Sequence, residues 1–474
     1  MRDNIMKSHA IILPLALLFS GCSLAPKYER PGTSTPSTWA SPTDFSPSSS
    51  ATTLEWRSFV TDAQLRRVIE LALEHNRDLR QAILNIEAAR ATYRIQRADR
   101  LPGLNAQGSG RRERLPADLS TSGAASTQNT YQAEVGLAEF EIDLFARVRN
   151  LSESALQEYL ATSFAARSVE ISLVSEVIQS FASREGALRR LDLAQKTLDA
   201  RLASLELTRL RRQGGTANAL DYQEALGLTA RSRGDLEAIK REVIEASNAL
   251  SLLVGVLDLD KELPKQAIQT FVVVQGITPG VPSALLERRP DIIAAEHRLR
   301  ARNADIGAAR AAFFPRISLT GAFGTSSAEL SGLFESGSRS WSFAPQVMLP
   351  IFAGGRNRAN LDLATVRKEI AVVDYEHAIE TAFTEVSNAL TAIDALGREQ
   401  TFRQEVADSS QEALRLSEAR YRQGVDSHLR YLEAQRTSYE DMTTLIEVNT
   451  QRQISLAILF RALGGGWTAA GAPN

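Results

Sequence analysis

Apolar residues recur at alternating spacings of three and four along two long stretches of this chain, a pattern typical of coiled-coil helices. In the first stretch they extend from Val174 to Leu205, and a glycine turn follows at 213–218. The second stretch begins at Asn357 and turns at 423–427. As one helix it would reach about 100 Å. The apolar pattern returns after each turn, so the sequence predicts two long antiparallel helical hairpins.

Elsewhere apolar and polar residues alternate with a period of two, which indicates strands. Four such segments occur, at about 103–112, 129–145, 316–325 and 340–352. In the last segment Trp341, Phe343 and Val347 alternate with small or polar residues. In segment 129–145 the alternation slips by one position at Phe140, which predicts a β-bulge. Such strands match the wall of a membrane β-barrel with a wet interior. A solvent-exposed sheet fits the alternation as well.

The two halves of the chain repeat one another at nearly constant offsets. Matching positions include Glu74 with Glu287, Asp78 with Asp291, Pro102 with Pro315, Gly108 with Gly321, and Gly215 with Gly424. We therefore divide the chain into a first repeat at 61–257 and a second at 285–464, joined by a linker at 258–284 and followed by a tail at 465–474. Each repeat contains a helix, two strands and one long helical hairpin.

The N-terminus predicts export and lipid anchoring. Residues 1–21 combine early basic residues with an apolar run of about ten, which is a signal peptide and too short to span a bilayer. Cys22 follows small residues, as the lipidated residue of a bacterial lipobox does, and an ordinary cleaved signal with an incidental thiol is the alternative. Segment 22–60 is rich in Pro, Ser and Thr and predicts an extended tether.

Composition excludes several functions. The net charge of -2 is spread along the helices, so no nucleic-acid surface is expected. One cysteine permits no disulfide within the chain. The five histidines are scattered, with no metal-ligand spacing, and His428 is expected to be a solvent-exposed bystander. We therefore predict no catalytic site, no cofactor and no metal site, and hence no enzyme.

The number of strands predicts oligomerisation. The smallest membrane barrels have eight strands, and a sheet in lipid cannot keep open edges. Because this chain offers only four, several copies must close a barrel together.

Several motifs resemble one known family. The segments Cys22 to Pro31, Leu285 to Ile292, Phe313-Phe314-Pro315 and Ala462 to Trp467 are similar to the outer-membrane efflux lipoproteins of the TolC and OprM type. This resemblance implies a fold of mixed class, all-α coiled coil plus membrane β-barrel. A homotrimer would share one 12-stranded β-barrel and a long periplasmic α-helical barrel, with an equatorial domain.

The resemblance also implies a function and partners. Such proteins are passive exit ducts of tripartite efflux systems in the outer membrane, and they export drugs or other small molecules. Their partners are outer-membrane lipid, a periplasmic adaptor and an inner-membrane pump, which is usually proton-driven. A duct for type I protein secretion or for metal or peptide export is an alternative. A non-channel periplasmic coiled-coil lipoprotein is a second alternative.

The resemblance assigns roles at the turns of the hairpins. Adaptor docking falls on Gly214, Gly215, Thr216, Gly424, Val425, Asp426 and Ser427. A closed periplasmic gate falls on Leu429, Glu433 and Arg436, which share one helix face. From the residues alone, these three positions are equally explained as a solvated helix face.

Overall fold

The computed structural model describes residues 23–32, 55–121, 123–259, 261–263, 265–268, 272–275 and 285–466. The predicted signal peptide, Cys22, most of the predicted tether and the C-terminal tail from residue 467 lie outside the described residues.

Nine helices and four strands follow one another in this part of the chain. They are α1 Trp56–Phe59, α2 Ala63–His75, α3 Arg77–Ala98, β1 Leu104–Leu115, β2 Ser126–Glu141, α4 Arg147–Gln213, α5 Ala219–Val254, α6 Leu285–Arg288, α7 Pro290–Ala311, β3 Arg316–Ser327, β4 Arg339–Met348, α8 Arg356–Arg422 and α9 His428–Ala462. The helices α4 and α8 have 67 residues each. Their equal lengths and equal places in the order reflect the duplication.

The first helix of each repeat, expected to be continuous, is broken once. Asn76 adopts an extended conformation after α2, and its side chain accepts a hydrogen bond from the Leu79 amide at the start of α3. In the second repeat the break falls at Arg289, and Pro290 then opens α7, a first-turn position that suits proline.

The four strands form one antiparallel sheet in the order β1-β2-β3-β4. Its register places Val135, Phe323 and Trp341 in one row across the sheet, and all three side chains are exposed. The next row carries Gly324 and Ser340 on the opposite face. The sheet therefore has an exposed apolar face and a face of small and polar residues.

The predicted bulge in β2 is confirmed. The pairing of β2 with β3 shifts register between Leu137 and Phe140, and Glu139 within the shift has a φ of 41°. The extra residue moves the apolar side chains that follow it to the other phase of the strand.

The described residues form two compact units, and the sheet belongs to the unit that contains segments Asn85–Thr162 and Ala294–Tyr375. In this unit residues 23–32 lie along α7. Asn303 Nδ2 donates to the Pro26 carbonyl at 2.8 Å, and Arg30 pairs with Glu296 at 2.5 Å. The chain just after Cys22 is therefore held by hydrogen bonds and an ion pair.

The other unit contains segment Ser163–Ile293 and an extensive hydrophobic core. Phe59 stacks on Phe460 with ring centroids 4.6 Å apart, and Val60 forms a β-bridge with Val273 of the linker. Leu259 of the linker is buried in the same core. The start of the first repeat, the linker and the end of α9 thus share one core.

Both repeats close in the same way within this unit. Gly255 ends α5 with a φ of 81°, and a Cβ there would lie 2.5 Å from the His75 carbonyl oxygen. Gly464 follows α9 with a φ of 91°, and its Cβ would lie 2.8 Å from the Arg288 carbonyl oxygen. Glycine is required at both sites because the backbone is left-handed and the neighbouring chain is close.

Candidate functional site at the helical turns

The second hairpin turns through a Schellman motif. Gly424 has a φ of 76°, its amide donates to the Tyr421 carbonyl at 3.0 Å, and the Val425 amide donates to the Arg420 carbonyl at 2.9 Å. This pattern satisfies the last carbonyls of α8 and needs a left-handed residue, which glycine supplies. The Val425 side chain remains exposed.

The first hairpin turns with the same geometry. Gly215 has a φ of 74°, its amide donates to the Arg212 carbonyl at 3.1 Å, and the Thr216 amide donates to the Arg211 carbonyl at 2.8 Å. Gly214 lies one residue earlier and has a negative φ. The two turns therefore follow the same backbone path, although their residue types differ.

Side chains at each turn start the returning helix. Asn218 and Asp221 form a capping box at the start of α5, and Ser427 accepts a hydrogen bond from the Arg430 amide at the start of α9. Asp426 receives two hydrogen bonds from Arg420, at 2.8 and 3.0 Å. These hydrogen bonds lower the pKa of Asp426, so its carboxylate is ionised at neutral pH.

The predicted gate residues lie on the first turns of α9. Leu429 and Glu433 are exposed, and Arg436 Nη2 lies 3.0 Å from Glu433 Oε1. Both charged side chains are at least half exposed in the single chain. The structure thus pairs Glu433 with Arg436 and leaves Leu429 available to a neighbouring surface.

The two turns contact each other through residues that the sequence did not single out. Arg211 donates to the Tyr421 carbonyl at 3.2 Å, and its guanidinium lies 4.4 Å from the centre of the Tyr421 ring. Tyr421 in turn stacks on Tyr431, with centroids 5.3 Å apart. One signal was available, because Tyr421 lies three residues before the turn glycine and is an aromatic residue between two arginines.

The expectation that His428 is exposed is wrong. Only 6% of this residue is accessible, and its Nε2 lies 3.3 Å from Thr208 Oγ1 of α4. Desolvation lowers the pKa of His428, so the imidazole is neutral at pH 7. Asp221 and Glu224 of α5 lie beside it. Local periodicity could not reveal this burial because Thr208, Asp221 and Glu224 belong to the other hairpin.

Comparison with known proteins agrees with the duplication and assigns the class. The family model for outer membrane efflux proteins matches residues 68–256 and again residues 281–465. The chain therefore belongs to the outer membrane efflux protein family.

The chain is 56% identical to outer membrane protein OprJ of Pseudomonas aeruginosa over 455 residues, which are 96% of this chain and 95% of OprJ. It is 41% identical to the toluene efflux pump outer membrane protein TtgF of Pseudomonas putida, over 98% of both chains. A crystal structure of a membrane protein from Pseudomonas aeruginosa superposes with a TM-score of 0.89 at 56% identity. That match covers 94% of this chain and 98% of the other.

These matches confirm the predicted fold class of a duplicated chain that combines long helices with membrane strands, and they confirm the outer membrane as its location. The family is that of outer membrane efflux proteins, and TtgF is a component of a toluene efflux pump.

Among the described residues, no helix is both long enough and apolar enough to cross a membrane.

Proposed function

We propose that this protein is the outer-membrane exit duct of a tripartite efflux system that exports drugs or other small molecules. The observation that carries the proposal is the double family match together with identity to efflux-pump outer membrane proteins along nearly the whole chain. The duct itself is passive and has no catalytic role, because the energy is supplied by the pump.

The sheet supports assembly into a trimer. In the described chain β1 and β4 each pair on one side only, so two sheet edges are open. Unpaired backbone groups are strongly unfavourable in lipid. Three copies joined edge to edge give a closed twelve-stranded barrel, whose exposed apolar face, including Phe323 and Trp341, contacts the lipid.

The turns support docking of a periplasmic adaptor. Gly214, Gly215 and Thr216 in the first hairpin, and the turn 424–427 in the second, present two backbone surfaces of equal geometry. An adaptor that binds backbone shape at one turn therefore fits the other turn as well. The adaptor connects the duct to an inner-membrane pump, and we assign a proton-driven pump.

The start of α9 supports a gate. Around a threefold axis, three copies of Leu429 form an apolar constriction, and three Glu433 carboxylates approach one another. The repulsion among them is relieved by the Glu433–Arg436 pair of each chain. Opening then requires that the three copies of Leu429 and Glu433 move away from the axis.

The N-terminal segment supports lipid anchoring at Cys22. Residues 23–32 are fixed along α7, so acyl chains on Cys22 attach the membrane to an ordered part of the protein. A Cys22→Ala variant expressed with its signal peptide should lose labelling by a palmitate analogue.

Complementation tests the function. Cells that lack the outer-membrane component of an efflux system, but keep its adaptor and pump, should regain drug export and resistance when they express this protein. A matched variant with the turn 423–427 replaced by a Gly-Ser linker should reach the outer membrane and fail to restore export. If the unaltered protein reaches the outer membrane with its cognate adaptor and pump present and export stays absent, the proposal is wrong.

A further inference from the structure

Two returning helices begin side by side and bring three metal-binding side chains together. Asp221 and Glu224 lie on one face in the first turns of α5, and His428 is the first residue of α9. One ligand atom from each of the three side chains lies within 4.8 Å of the other two. The cluster joins the first repeat to the second, and so no local motif in the sequence contains it.

The histidine is the unusual member, because it is buried and incompletely bonded. His428 is 94% inaccessible, since its accessible fraction is 6%. Its Nδ1 is buried and has no hydrogen-bond partner. A buried polar nitrogen without a partner costs free energy, and such a group in a native structure calls for a reason.

The other ring nitrogen fixes the tautomer. Thr208 Oγ1 donates its hydrogen to the Ser204 carbonyl at 2.9 Å, so towards His428 the hydroxyl accepts. In that arrangement His428 Nε2 carries the hydrogen, and Nδ1 keeps its lone pair. Metal-binding histidines have this arrangement, in which one ring nitrogen donates to a neighbour and the other binds the ion.

The surroundings favour a cation. Asp221 uses Oδ2 for the Asn218 amide at 3.3 Å, which leaves Oδ1 free. Glu224 contributes a second carboxylate, and both acidic residues are partly buried.

We propose that Asp221, Glu224 and His428 Nδ1 bind one divalent transition-metal cation of the Zn²⁺ type, with water completing the coordination. Imidazole nitrogen combined with carboxylate oxygen suits Zn²⁺ and neighbouring transition metals, whereas Mg²⁺ and Ca²⁺ prefer oxygen alone. Ligands at about 2.1 Å from Zn²⁺ lie about 3.4 Å from one another. Metal binding would therefore draw the three ligand atoms closer than their present separation of up to 4.8 Å.

A bound ion would link the starts of the two returning helices, next to both turns and one residue before Leu429. Because the ion binds only when the starts of the two helices are close together, binding stabilises that arrangement by mass action. The proposal does not depend on transport, because the ion needs only the residues of one chain.

Calorimetric titration of ZnCl₂ into chelator-treated, detergent-solubilised full-length protein tests the site. We expect one Zn²⁺ per chain. His428→Phe keeps an aromatic ring against Tyr421 and removes the ligand, and it should weaken binding at least tenfold, as should Asp221→Asn and Glu224→Gln. His377→Phe, at an exposed histidine on α8, is the matched control and should bind as the unaltered protein does.

Two results would overturn the proposal: less than half an equivalent of Zn²⁺ bound by the unaltered protein, or equal affinity and stoichiometry in His428→Phe. Hydrogen exchange supplies a second measurement that does not depend on how the variants fold. Zn²⁺ should slow exchange of the amides at 214–221 and 424–430 in the unaltered protein, and unchanged exchange there at saturating Zn²⁺ would contradict a link between the helices.

Discussion

The Glu433–Arg436 pair illustrates how a residue's role depends on the assembly. Both side chains are half exposed or more in the single chain. Exposed pairs of this kind contribute only about 0–1 kcal/mol to stability. The pair therefore contributes little to folding, and the function proposed for it depends on the position it would take in three copies around one axis.

Loss of this pair should open the proposed gate. We expect Glu433→Ala and Arg436→Ala each to raise single-channel conductance or open probability in planar bilayers, because each leaves three like charges unpaired around the proposed axis. Glu412 and Arg415 on α8 form an exposed pair of the same spacing, at 2.6 Å, and serve as matched controls. Glu412→Ala and Arg415→Ala should conduct as the unaltered protein does. Equal currents in all five proteins would exclude Glu433 and Arg436 from the gate.

Glu296 connects the N-terminal segment to α7. It accepts hydrogen bonds from Arg30, Arg300 and Tyr28. Desolvation raises the pKa of Glu296, but the hydrogen bonds from Arg30 and Arg300 outweigh it and the pKa is lowered. Desolvation and the nearby Glu296 charge raise the pKa of Tyr28 to about 12, so Tyr28 stays neutral and acts as a donor.

Glu296→Gln should destabilise the protein at neutral pH by about 1.5–3 kcal/mol, the usual contribution of hydrogen bonds to a charged group. A carboxyl group with a lowered folded pKa stabilises fully above its unfolded pKa of about 4.3, and this stabilisation is lost as pH falls through the folded value. Thermal unfolding of both proteins at several pH values tests this. The difference in melting temperature should shrink below about pH 4, and a difference that is constant down to pH 3 would contradict the assignment.

The two turns are the clearest elements of the fold, since each uses a left-handed glycine at the same step. A Cβ on Gly424 would meet no atom within 4 Å, so any cost of substitution is backbone strain. Gly424→Ala should therefore lower the local stability of the turn by about 1–2 kcal/mol. Gly227→Ala in α5 also meets no atom and has no positive φ, so it should be neutral or stabilising. Amide exchange at 424–427 should quicken only in Gly424→Ala, and equal exchange in both variants would be evidence against the turn geometry.

The faces of β4 provide a second element-scale test. Phe343 belongs to the exposed apolar face, and Ser342 is its neighbour on the opposite face. Phe343→Arg should sharply lower the amount of assembled protein in the outer membrane, because a cation facing lipid costs about 2–4 kcal/mol near the bilayer midplane. Ser342→Arg should assemble normally, and the reverse order of yields would show that the faces are assigned the wrong way round.

Features that depend on residues close together in the sequence could be predicted from it. The glycine turns and the bulge before Phe140 follow from spacing and phase, and both are present. The break at Asn76 was missed because an asparagine cap inside a helical pattern is a weak signal. The burial of His428 was also missed, since Thr208 and Tyr421 approach it only after both hairpins have folded.

At the scale of the whole molecule, duplication gives one chain two hairpins, two strand pairs and two similar turns. It also leaves the sheet with two open edges in the described chain. A single copy would expose those edges to lipid, whereas three copies close them. The trimer is thus the step that connects the fold to a duct through the outer membrane.

Native mass spectrometry of the detergent-extracted protein tests this central claim most directly. We expect one dominant species of three chains that dissociates on heating, because the barrel strands of one chain complete those of the next. A dominant species of one chain, released from membranes without detergent, would contradict it.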